Sequence, residues 1–557
     1  MPVKRYASVV KGFGKYVLTV GLLLSFLTTG QATSLSKGGN SQQSRLVEAH
    51  AHYAAAMVRE SGGEADAALD EFIQAARLDL DNEELALEVV QRLLARGREA
   101  EALKILKQAA CNSKASGVVF VQMGLVFEHQ GKLDEAITAN RQAIKRSPQK
   151  LAGYQNLYLN LLEKNHTDKA LGVLEEAAKV ADVGPDFLIT LAELFTHYSH
   201  QKPKAREKVR KEALQILDRV NLDQPLTSEQ RLKLADGYYT LSEGSRALTL
   251  YEGLLADFSD DAPLLASIRG RLVDLYLRRD DRTAALEQLQ VMVEADPTNV
   301  ALLLQLGDIA RSLGQYDLAA ETFRKVVLLN PRFQPAYYEL AQSQLNQDSP
   351  QAALATLKMA GEQFERIFVG EYLTAMAYCR LKNYDQGINH LTSAEVIARA
   401  TETNRLDETF YYQLGTVYER KGDFQEAEKN LLRSLEIAPD FAEAQNYLGY
   451  SWADRGEKLD RAYDLLKKAV KTEPENPAFL DSLGWVLFKL NRPADALIQL
   501  RKAVDLSPQP DATLLDHLGD IYAALHRWDE ARASWKQSLT VEPSAAVRKK
   551  LDSTPAY

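Results

Sequence analysis

The sequence predicts an all-α chain made by repeating one pair of helices. Two broad observations carry that expectation. Ala and Leu dominate the 557 residues, apolar residues make up 46% and charged residues 26%, and almost no run of alternating β-branched residues reads as strand. A single apolar pattern also returns about every 34 residues, with many of the 18 prolines falling at segment ends.

The pattern is explicit in three segments. Leu414-Gly415 is followed by Tyr418, Ala427, Leu431 and Pro439; Leu306-Gly307 by Ala310, Ala319, Phe323 and Pro331; Leu518-Gly519 by Tyr522, Ala531, Trp535 and Pro543. A small residue on the first helix admits the second helix closely. The Ala of the second helix sits at the same crossing, the large residue four positions on fills the next turn, and Pro ends the unit. This spacing resembles that of the tetratricopeptide repeat family.

The small position runs Ala56, Val90, Gly124, Tyr158, Ala192, Ala235, Val273, Gly307, Ala341, Ala375, Gly415, Gly449, Gly484 and Gly519. Val90, Tyr158 and Val273 break the small-residue rule, and Gly387 stands where the partner Ala is expected. The resemblance therefore implies a right-handed superhelical solenoid of about 14 antiparallel helix pairs, and the N-terminal residues are read separately as a signal peptide.

Longer gaps mark insertions at His197–Lys211, Asn221–Ser228 and Ala398–Asp407, expected to act as flexures. They divide the chain into a signal peptide (1–32), a flexible linker (33–48), repeat blocks at 49–220, 221–397 and 398–543, and a capping helix with tail (544–557).

The N-terminal segment differs in kind from the rest. Lys4, Arg5, Lys11 and Lys15 precede an apolar run from Tyr16 to Leu27, and Gly30 and Ala32 suit a signal peptidase, so cleavage is expected after Ala32. The run is short for a membrane span, which needs about 20 apolar residues. Export, to a periplasm in a bacterium, is the leading expectation. The alternative is an uncleaved inner-membrane anchor, and the mature chain is expected to have no integral span, though a membrane-associated complex is compatible with it. Without the segment the chain carries 63 basic and 76 acidic residues, a net −13, which argues against a nucleic-acid partner.

No motif for catalysis, cofactor or metal stands out: CxxC, GxxxxGK[ST] and GxSxG are absent, and no cofactor or enzyme activity is expected. Cys111 and Cys379 lie 268 residues apart and are read as free and structural. His50 with His52, and His197 with His200, lack a third ligand nearby. The basic run Lys202–Lys211 is read as a solvated helix extension.

The resemblance implies a groove lined by the first helices of successive units, holding a protein or peptide. By phase it places Tyr338, Tyr372 and Tyr412 on that groove, with Tyr450, Trp485 and Phe488 continuing an aromatic strip and Arg311, Arg380 and Arg420 flanking it. Each strip residue is expected to be partly exposed, whereas Trp452 and Trp535 fall at core positions. The expected function is a partner-binding scaffold of the bacterial cell envelope. The alternative is an accessory subunit of a polysaccharide synthesis or export system.

Overall fold

The computed structural model describes residues 41–554, and the expected signal segment lies outside them. Among the described residues there are 29 α-helices, two short 3-10 turns and no strand. By compactness the chain forms two units, Met1–Asp257 and Phe258–Tyr557.

The first unit contains six helix pairs. They are α1 (Ser41–Ser61) with α2 (Ala65–Leu78), α3 (Glu83–Ala95) with α4 (Glu99–Ala110), and α5 (Gly117–His129) with α6 (Leu133–Arg146). Next come α7 (Leu151–Glu163) with α8 (Thr167–Ala178), α9 (Pro185–Gln201) with α10 (Arg206–Leu217), and α11 (Ser228–Thr240) with α12 (Gly244–Leu254).

The second unit contains eight pairs and a closing helix. Its pairs begin with α13 (Ala262–Arg278) and α14 (Arg282–Ala295), α15 (Val300–Ser312) and α16 (Tyr316–Leu329), α17 (Gln334–Asn346) and α18 (Pro350–Gln363), and α19 (Phe368–Arg380) and α20 (Tyr384–Thr401). They continue with α21 (Glu408–Lys421) and α22 (Phe424–Ile437), α23 (Ala442–Asp454) and α24 (Leu459–Thr472), α25 (Pro477–Lys489) and α26 (Pro493–Leu506), and α27 (Ala512–Ala524) and α28 (Trp528–Val541). The closing helix is α29 (Ala545–Asp552), whose N-cap Ser544 accepts the Val547 N–H.

The glycines among the small positions are where neighbouring helices meet. A Cβ built on Gly307 would lie 2.7 Å from Phe323 Cζ, one on Gly415 2.7 Å from Leu431 Cγ, and one on Gly449 2.7 Å from Leu466 Cγ. At Gly484 and Gly519 the neighbours are Leu500 and Trp535. Each of these is the large residue four positions after the partner Ala, so the sequence spacing encodes a helix–helix contact. Where the small residue is Val90 or Tyr158 the side chain is fully buried, and the Tyr158 hydroxyl lies 2.8 Å from His197 Nδ1. Val273 is buried as well, so the departures leave the crossings packed.

Helix ends follow local chemistry. Asn82, Asp261, Asn299, Asn383, Asp407, Asp423 and Asp511 each accept a backbone N–H of the first turn. Among the described pairs the turn holds one residue at positive φ, except that α9–α10 has none and α23–α24 has both Gly456 and Lys458. It is Gly at 63, 97, 131, 314 and 422, but residues such as Asn165, Lys382 and His526 adopt the same left-handed conformation.

The linker expectation needs correcting, and the three insertions take definite local form. The chain is already helical from Ser41, so the described part of the proposed linker, 41–48, belongs to α1. The insertion at His197–Lys211 is taken up by a lengthened α9, a 3-10 turn at Pro203–Ala205, and the start of α10. The insertion at Ala398–Asp407 extends α20 to Thr401 before a second 3-10 turn, Thr403–Arg405. Only Asn221–Ser228 is mostly loop, and it ends in a capping box between Thr227 and Gln230.

Candidate partner-binding groove

The first helices of three consecutive pairs, α17, α19 and α21, line a cavity of about 350 Å³. Its wall combines Leu345, Leu373, Met376 and Val417 with Gln342, Gln413 and Thr416, and three of the expected groove residues, Tyr372, Arg380 and Arg420, face it. Tyr372 is half-buried and stacks on Phe368 with ring centroids 5.7 Å apart and planes 17° apart. Arg380 Nη1 donates to Asp348 Oδ1 at 3.0 Å, and Arg420 is exposed at the rim.

Cys379 also lines this cavity. Burial pushes its thiol up to about 11, opposed by the nearby Arg420 guanidinium. At neutral pH the group is a protonated, weakly polar wall and a poor nucleophile. Burial likewise raises the Tyr372 phenol above its usual value. Apolar faces beside amides and two guanidiniums suit a side chain carrying both apolar and hydrogen-bonding surface.

The remaining strip residues separate into local groups. Tyr412 packs edge-on against Phe441 and Tyr447, at 5.5 and 5.8 Å, while Tyr447 donates to Glu419 Oε2 at 3.0 Å. Tyr338 lines a different cavity, its hydroxyl accepting from Gln334 Nε2 at 2.9 Å. Arg311 is committed to Glu339 at 3.3 Å and Asp308 at 3.6 Å.

Tyr450 and Trp485 meet His517 of α27, and Phe488 lies behind Trp485. Trp485 lies flat on the His517 ring at 3.9 Å and stacks on Phe488 at 5.2 Å, with its Nε1 donating to Asp454 Oδ1 at 3.2 Å. His517 is held by Asp481 at 2.9 Å. Trp485 is consequently only 7% exposed, which corrects the expectation of a partly exposed ring; Tyr338, Tyr372 and Tyr412 are half-buried. Trp452 and Trp535, each 3% exposed, are core residues as expected.

Outside the groove, Cys111 is exposed at the end of α4, so it is free but has no packing role. Lys208 and Arg210 of the basic run pair with Glu175 and Glu243 at 3.0 and 2.9 Å. No helix among the described residues is long and apolar enough to cross a membrane.

Comparison with known families places this geometry. Models of the tetratricopeptide repeat match residues 232–300, 304–363, 367–440 and 453–509. These stretches of the chain are tetratricopeptide repeats. The first five helix pairs of the chain repeat the same geometry ahead of the matched spans.

Among curated proteins, a 114-residue stretch is 38% identical to the TPR repeat-containing protein PA4667 of Pseudomonas aeruginosa, covering 20% of this chain and 19% of that protein. A 505-residue stretch is 23% identical to the Protein CTR9 homolog of Arabidopsis thaliana, covering 82% of this chain and 45% of that one. The chain thus spans less than half the length of either relative. Similar solved structures include the Cut9–Hcn1 hetero-tetramer of the APC/C, at 15% identity and TM-score 0.39 over 86% of this chain and 97% of that one. YrrB, described as a tetratricopeptide repeat protein with an unusual peptide-binding site, is 24% identical with TM-score 0.30 over 38% of this chain and 100% of its own.

Proposed function

We propose that the chain is an exported scaffold of the cell envelope that holds a protein partner against α17, α19 and α21. The observation that carries this reading is the cavity lined by three consecutive first helices, in which α19 presents Tyr372 and Arg380 and α21 presents Arg420. Stacked repeats bury their own cores and leave such a face free for a partner. Half-exposed tyrosines beside arginines are the side chains that most often anchor protein interfaces. The charged start, apolar run and small residues of 1–32 support export.

The test is site-specific photo-crosslinking in cells. A photoreactive residue at Met376 should trap a defined partner, identified by mass spectrometry. The same residue at Val396, which is 64% exposed on the second helix α20, should not. Identical products from both positions, or none from Met376, would defeat the proposal.

A further inference from the structure

A second cavity, of about 500 Å³, lies between α18 and α19 and reaches His390 on α20. It shares no lining residue with the groove cavity. Leu354, Leu357 and Ile367 supply an apolar wall, and the space beside Gly361 is open, since a Cβ there would meet nothing within 4 Å.

Its polar end is built around Glu371, which is only 7% exposed. His390 Nδ1 donates to Glu371 Oε2 at 2.7 Å, and the His390 ring stacks on Tyr378 at 5.5 Å with planes 14° apart. The cation facing the other oxygen is Arg366, but its Nε is 3.6 Å from Oε1, beyond hydrogen-bond reach, and its side chain is 73% exposed. A carboxylate offers about four acceptor sites. Here one oxygen is well bonded, while the other is met by a long contact from an exposed side chain. A buried carboxylate in that condition gains from a better donor.

The rest of the lining selects the donor. Glu362 and Glu365 add negative charge at the mouth, against Lys358 and Arg366. Tyr338 and Tyr378 also line the space, one face of the Tyr378 ring being covered by His390, and aromatic walls favour a delocalised cation. A guanidinium matches a carboxylate with two parallel N–H donors and stacks on aromatic faces, which an ammonium does less well.

We propose that this cavity is a second binding site that takes the arginine side chain of a partner, with Glu371 as its anchor and Arg366 as the resident placeholder that the incoming guanidinium displaces. Peptide docking in the groove neither requires this site nor supplies it.

The test titrates the signal-free full chain with the tripeptide acetyl-Gly-Arg-Gly-amide and with its citrulline counterpart, by calorimetry. The arginine peptide should bind saturably and the citrulline peptide about tenfold or more weakly, because citrulline keeps the shape and loses the charge. Glu371→Gln should weaken arginine binding by about tenfold or more. Arg366→Ala, at an exposed position that leaves the fold intact, should tighten it by removing the internal competitor. Val396→Ala, exposed on α20 and outside both cavities, should leave it unchanged. Absence of saturable arginine binding in both the wild type and Arg366→Ala overturns the proposal. So does equal binding of citrulline, or weakened binding in Arg366→Ala.

Discussion

Alanine at Gly415 and alanine at Gly270 should shift stability in opposite directions, although both glycines lie inside helices of the same unit. Gly270 sits on the exposed face of α13, where a new Cβ meets nothing within 4 Å. Ala is the better helix former by about 1 kcal/mol, so Gly270→Ala should stabilise by up to about that amount. The same propensity gain operates at Gly415, but there the new Cβ falls 2.7 Å from Leu431 Cγ and 3.1 Å from the Ala427 carbonyl oxygen. Leu431 is 1% exposed and Ala427 belongs to the backbone of α22, so neither yields freely. Overpacking of this kind costs about 1–3 kcal/mol. The propensity terms cancel between the variants, and the difference between them is therefore the overpacking cost alone. Urea unfolding of the full chain reads it as a rise in midpoint for Gly270→Ala and a fall for Gly415→Ala. Adding Leu431→Ala should relieve part of the Gly415→Ala penalty, a coupling that a double-mutant cycle isolates. If Gly415→Ala raised the midpoint as much as Gly270→Ala does, the close helix crossing would not be what the repeat pattern encodes.

Other consequences follow from burial and charge. Trp485→Ala should destabilise the second unit by about 3–5 kcal/mol in the same unfolding assay, since it deletes a buried aromatic packed on His517. A value near that of a surface substitution would restore Trp485 to the exposed strip. With its thiol pushed up to about 11, Cys379 holds only about one thiolate in a thousand at pH 8. Iodoacetamide should then modify exposed Cys111 well before Cys379, with the Cys379 rate climbing as pH rises towards 11; equal rates at pH 8 would contradict the burial. N-terminal sequencing of the purified native protein should begin at Thr33, and intact Met1 on cytosolic protein would remove the export proposal.

The repeat architecture was legible because each unit writes a contact into its spacing. Gly307 with Phe323, and Gly519 with Trp535, are fixed distances apart in sequence and touch in space. The same phase brought Tyr372, Arg380 and Arg420 to one cavity, since a helix face is periodic. Phase alone does not give burial. Trp485 lies at the expected helix position, but its exposure is decided by His517, 32 residues away on α27, and by the Asp481 carboxylate that orients that ring. The Glu371 site was also invisible. Arg366, Glu371 and His390 come from a connection and two helices, and their spacing matches no motif. Residues 41–48 misled for a different reason: the Ser and Gln that suggest a linker also begin α1 ahead of Ala49, the first buried residue of that helix.

The claim that α17, α19 and α21 present a partner-binding surface is tested most directly by separating binding from folding at Tyr372 and Tyr412. Both rings are half-buried, so truncation to Ala will cost some stability whatever their role. Interface anchors of this type cost about 2 kcal/mol or more of binding energy when removed, roughly thirtyfold in affinity. Affinity for the partner trapped at Met376 should be measured on each folded variant, at a temperature well below its melting transition. Under those conditions Tyr372→Ala should lose affinity by about that factor, with its circular dichroism spectrum unchanged. Full retention of partner affinity by folded Tyr372→Ala, with the whole effect confined to melting temperature, would make the ring a packing residue and contradict the groove.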